Sequence, residues 1–132
     1  MEGAKGNALD WAMALLQAPG ERHELRRRRL PEGIDTLLAV ASGGTPAALA
    51  DAVEVTGQPE AQVREAARFY VREVLFHPHA DAYRLLGVAR DADIETIKSH
   101  FRLLQHWLHP DRQESEDDAV FAARVNTAWS KL

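Results

Sequence analysis

The stretch His109-Pro110-Asp111-Arg112 holds a dense set of chemistry-bearing side chains, with His106 three residues ahead of it. A proline at position 110 biases His109 out of helical geometry and presents Asp111 on a rigid, exposed backbone. A carboxylate held in that way suits a bidentate, charge-assisted contact from an arginine. It belongs to no catalytic set, because no partner base or metal cluster surrounds it, and no catalytic residue is assigned. His106, His109 and Asp111 do not form a recognised metal spacing, since they straddle a helix end and lack further ligands, so no metal is expected. The chain has no Gly-rich phosphate loop, and no nucleotide or other cofactor is expected.

A second cluster is Arg26-Arg27-Arg28-Arg29, with Arg22 and His23 just before it. Successive residues on a helix point about 100° apart, so four arginines cannot share one face. A solvated helix pairing Arg26 to Arg29 with Glu21, Glu24 or Glu32 is expected instead. No aromatic residues interleave with the run, and nucleic-acid binding is not expected.

The elements that must position these residues come from a chain of 132 residues, 45% hydrophobic and 27% charged, a composition that excludes disordered and fibrous classes. A formal net charge of −4 and a pI near 5.8 argue against a dedicated nucleic-acid binder. There is no cysteine, hence no disulfide framework, thiolate zinc site or cysteine nucleophile, and the cytoplasm is the expected compartment. The longest uncharged run, Thr36 to Ala50, is interrupted by Gly43, Gly44 and Pro46, so no membrane span is expected.

Gly and Pro divide the sequence into helix-sized pieces with little period-two alternation, which predicts an all-α protein. Asn7 caps a helix to about Gln17, with Leu9, Met13 and Leu16 on one face. A second piece runs from about Glu21 to Leu30, a third from Ile34 to about Ala41. Thr45 and Pro46 then open a helix reaching Val55. A longer helix from Gln58-Pro59 to near His77-Pro78 buries Val63, Ala67, Tyr70 and Val74. Beyond about Ala80 come a short helical turn around Tyr83 to Leu86, a helix from Asp91 or Asp93 to Leu108, and a last helix ending at Leu132. Ile94, Ile97, Phe101, Leu104 and Leu108 form one stripe, and Phe121, Val125, Ala128, Trp129 and Leu132 a matching one. The two predict an antiparallel hairpin. The domain expectation is an N-terminal helical module over residues 1–80 and a second domain over 81–132, with little motion between them because no flexible linker separates Val74-Leu75 from Asp81.

Asp81 to Val88 (DAYRLLGV), the apolar helix ending in His109-Pro110-Asp111-Arg112, and Val125 to Trp129 (VNTAW) together resemble a J domain, the module of DnaJ-type co-chaperones. The resemblance covers the last 52 residues. It implies that His109, Pro110 and Asp111, with the exposed face of the preceding helix, dock on a DnaK-type chaperone ATPase and stimulate its ATP hydrolysis. The chemistry then lies in the partner and this chain is not an enzyme. Lys98, Arg102 and Arg112 are the cations expected to join the contact, and a client or adaptor would have to use residues 1–80. His77-Pro78-His79 lacks the aspartate and the surrounding hairpin, and no function is assigned to it.

Three features depart from the family pattern. The helix before the tripeptide is usually basic, whereas here only Lys98 and Arg102 carry permanent positive charge between Asp93 and Leu108, with His100 and His106 able to add more only when protonated. Trp107-Leu108 stands where a basic residue and then an aromatic are commoner, and the sequence alone places Trp107 at the edge of the hairpin. Phe121 precedes Val125 by four residues where three is commoner. The thin basic face keeps a second reading open, that of a helical interaction or scaffold module with a weakly active J-like domain.

Overall fold

The computed structural model describes residues 7–43, 45–109 and 116–132. Among these residues there are eight α-helices and no strand, in line with the all-α expectation; a single parallel bridge joins Asn7 to Glu32. Helix α1 spans Ala8–Gln17, and its Asn7 cap accepts from the Leu9 and Asp10 amides at 2.9 and 3.4 Å. Its fully buried face is Ala8, Leu9, Ala12 and Leu15, while Met13 and Leu16 are only half-buried. The expected stripe is thus rotated toward the small residues. Ala8 and Ala12 let α1 lie close to α5, whose Ala66 and Ala67 are also fully buried.

The expected helix from Glu21 to Leu30 is much shorter. A 3₁₀ turn at Pro19–Glu21 leads into α2, Arg22–Leu25, which buries no side chain fully. With so little apolar surface, the following turn gains more from tertiary hydrogen bonds than from helix propagation. The Arg26 and Arg28 carbonyls accept from Arg84 Nη2 at 3.3 and 2.8 Å. The arginines disperse around the turn: Arg28 pairs with Glu24 at 3.2 Å, while Arg22 and Arg26 reach Glu73 at 3.5 and 3.7 Å.

Helix α3, Ile34–Ala41, and α4, Pro46–Thr56, lie at the expected places, and Thr45 Oγ1 accepts from the Ala48 amide at 3.1 Å. Helix α5, Glu60–Tyr70, continues as a π-helical turn, Val71–Leu75, that keeps Tyr70, Val71, Val74, Leu75 and Phe76 in the core. The rest comprises α6, Ala82–Leu85, capped by Asp81; α7, Ile94–Leu108, capped by Asp93; and α8, Glu116–Lys131. No single described helix is long and apolar enough to cross a membrane.

One apolar core runs across residue 80. It joins Leu37, Leu38, Val74 and Leu75 to Leu86, Leu104, Trp107 and Val125. Gly87 marks the closest approach: its φ is +66°, and a Cβ there would stand 3.0 Å from Ile34 Cγ2 and 3.3 Å from Leu75 Cδ1. Arg124 of α8 reaches back to donate to the Phe76 and His77 carbonyls at 2.6 and 2.8 Å, serving carbonyl groups at the end of the π-helical turn.

Candidate partner-docking site

Helices α7 and α8 pack as the expected antiparallel hairpin. Phe101 near the middle of α7 stacks on Trp129 near the end of α8, with centroids 4.6 Å apart and planes 6° apart. Ile97, Leu104 and Leu108 are buried as the stripe predicts, but Phe101 is half-buried and Ile94, at the first turn, is 49% exposed. Two residues off the stripe are buried as well, His100 and Trp107. The reason is that α7 has packing neighbours on two sides, α8 on one and α3 with the π-helical turn on the other.

His100 is therefore no part of a positive outer face. Its Nδ1 lies 2.9 Å from the Leu86 carbonyl, and because a carbonyl only accepts, Nδ1 carries the proton there. The bond ties α7 to the segment after α6.

The solvent side of α7 carries Lys98, half-buried, then Arg102, Gln105, His106 and His109, all exposed. Steps of three and four residues put these on one line down the helix. The helix ends at His109, where φ is −57° and ψ 140°, the extended geometry expected of a residue before proline. Arg102, Gln105, His106 and His109 border an open cleft of about 480 Å³, whose other wall is Ala122, Val125 and Asn126 of α8. Of the predicted site residues, the structure brings Lys98, Arg102 and His109 onto this one line; Pro110, Asp111 and Arg112 lie outside the described residues.

The opposite side of the same helix end holds residues that sequence reasoning placed differently. Trp107 is 3% exposed, not at the hairpin edge. Its ring faces Phe76 at 6.3 Å, and the Arg68 and Arg72 guanidinium groups lie 5.7 and 5.3 Å from its centroid. Phe121 of α8 meets the same Phe76 at 4.9 Å, which accounts for its displaced spacing: the ring turns toward the N-terminal helices. Asp118, fully buried in the first turn of α8, is 3.6 Å from Arg72. The only sequence signal for this cluster was the pair of departures at Trp107 and Phe121.

A short capped helix, a long apolar hairpin and a His-Pro-Asp tripeptide between its two helices define this part of the chain as belonging to the J-domain class. The family model for the DnaJ domain matches residues 81–132, and these residues are a DnaJ domain. Over 52 residues the chain is 44% identical to the chaperone protein DnaJ of Ureaplasma parvum, covering 39% of this chain and 14% of that protein. A DnaJ-like protein of Mycoplasma pneumoniae is 46% identical over 48 residues, covering 36% of this chain and 5% of that protein. The chaperone protein DnaJ of Rhizobium rhizogenes is 41% identical over 54 residues, 40% of this chain and 14% of that protein. The chain thus spans a small fraction of these relatives' length. No solved structure matches the chain at comparable stringency.

Proposed function

We propose that this protein is a co-chaperone whose DnaJ domain docks on a DnaK-type chaperone in the cytoplasm and stimulates its ATP hydrolysis. His109, Pro110 and Asp111 make the central contact, and Lys98, Arg102 and Arg112 supply the surrounding cations. The observation that carries the proposal is the solvent-side line of half-buried Lys98 and exposed Arg102, His106 and His109 leading along α7 into the His-Pro-Asp sequence. The hydrolytic chemistry resides in the partner. This chain contributes a carboxylate suited to an arginine and a rigid helix that lowers the entropy lost on docking.

Single-turnover ATP hydrolysis by DnaK, titrated with the protein at two salt concentrations, tests this directly. The expected result is saturable stimulation that weakens modestly with salt and falls when Lys98 and Arg102 are both replaced by alanine, because exposed charges set on-rate and partner choice. The scaffold reading rests on the small number of those charges: between Asp93 and Leu108 only Lys98 and Arg102 are permanent cations, against Asp93 and Glu95. Absence of stimulation with any DnaK tested favours that reading, in which residues 1–80 are the working surface for a client or adaptor.

A further inference from the structure

One guanidinium sits between the two helix ends that flank the tripeptide. Arg72 lies over the Trp107 ring at 5.3 Å and within 3.6 Å of Asp118 Oδ1. Trp107 is two residues before His109, and Asp118 stands in the first turn of α8. Four residues further along the N-terminal segment, Phe76 repeats the pattern in apolar form, touching Trp107 on one side and Phe121 on the other. Both of those aromatics stand where the sequence departs from the family pattern, and both departures point at the same partner. Asp118 is fully buried, a state that a carboxylate tolerates only with charged or hydrogen-bonding partners. Arg72 is such a partner, and it comes from outside the DnaJ domain.

We infer that the N-terminal helices are part of the docking machinery, with Arg72 and Phe76 as positioning residues that hold the end of α7 and the start of α8 in the arrangement from which the His-Pro-Asp segment is presented. Neither residue touches the partner; each acts through Trp107, Asp118 and Phe121. The inference rests on the docking function proposed above. Its physical content is preorganisation: a site competent only in one arrangement of its two flanks has an apparent affinity proportional to the fraction of time spent in that arrangement. The same contacts cover one side of the hairpin, which leaves the line from Lys98 to His109 as the approach for the ATPase.

The test compares wild type with Arg72→Met, Arg72→Lys and the double variant Arg72→Met/Asp118→Asn, which removes the carboxylate that the single change would leave buried without Arg72. All are assayed with DnaK in single turnover at 25 °C after circular dichroism has shown them folded. Amide hydrogen exchange is followed in parallel at Gln105 to Leu108 and Asp117 to Val120. The double variant should raise the half-saturating concentration by about fivefold or more at unchanged maximal stimulation. Exchange at the two helix ends should quicken by about tenfold or more, while the middle of α7 is unaffected. Arg72→Lys, which keeps a cation near both groups, should recover most of each effect. Half-saturation within about twofold of wild type, or unchanged exchange at the helix ends, overturns the inference. If wild type itself stimulates no DnaK, the docking proposal fails on its own account, and the exchange comparison alone then decides whether Arg72 sets the helix ends.

Discussion

Trp107 lies over Phe76 with ring centroids 6.3 Å apart and planes 19° apart, so the last turn of the DnaJ-domain helix is seated on a residue contributed by the segment before it. Arg68 and Arg72 complete the enclosure from the same segment. The stability of the hairpin is therefore coupled to the N-terminal helices and not set by α7 and α8 alone.

Replacing Trp107 with alanine should cost about 3 to 5 kcal/mol, the range for deleting a large buried aromatic side chain. Urea unfolding monitored by far-ultraviolet circular dichroism measures it. A loss below about 1 kcal/mol would mean that the ring is exposed in solution.

Gly87 gives a second handle on the same joint. An alanine there must adopt φ near +66° and place its methyl against Ile34 and Leu75. Overpacking of this kind costs about 1 to 3 kcal/mol, with the unfavourable backbone conformation added to it. Gly87→Ala should lower the unfolding midpoint of residues 1–80 and 81–132 together, as seen by backbone amide signals from each. Separate transitions would show that the two parts do not share one core.

The joint should also respond to pH through His77. Its Nδ1 accepts from the His79 amide at 3.2 Å, which a protonated ring cannot do. Burial, then the charges of Arg26, Arg84, His79 and Arg124, hold its pKa below the ordinary 6.5. The unfolded chain therefore takes up this proton first as pH falls, so His77 lowers stability from about pH 6.5 downward, until the folded form is protonated as well. Urea midpoints at pH 7.5 and pH 5 should drop less for His77→Gln than for wild type. Equal drops would remove His77 from the account.

The sequence made several helix starts legible because caps are local: Asn7 and Thr45, read as caps, and Asp93, one of two starts read for its helix, each accept from an amide two or three residues on, whereas the Asp81 cap of α6 was not read. The hairpin was legible for the same reason, since one periodic stripe reports one packing partner. Sequence missed what depends on a second partner. His100 and Trp107 are off the α7 stripe yet buried, because α7 is enclosed from two directions, and Ile94 is on the stripe yet exposed. The arginine run could not be read as a short helix and turn, because the groups that end the helix, Arg84 and Glu73, lie 47 or more residues away. Of the proposed docking residues, Lys98, Arg102 and His109 were legible through the family resemblance, whereas the enclosure behind them by Arg72 and Phe76 has no local signature.

The most direct test of the central claim is single-turnover ATP hydrolysis by DnaK with wild type and with Asp111→Asn. Asparagine keeps the size and removes the charge. A charge-assisted hydrogen bond contributes about 1.5 to 3 kcal/mol, so productive docking should fall by about tenfold or more while the melting temperature hardly changes. Stimulation by wild type and little by the variant at the same concentration is the predicted result. Equal stimulation by both would contradict the account, because the carboxylate of the His-Pro-Asp sequence would then not be the contact that activates the ATPase.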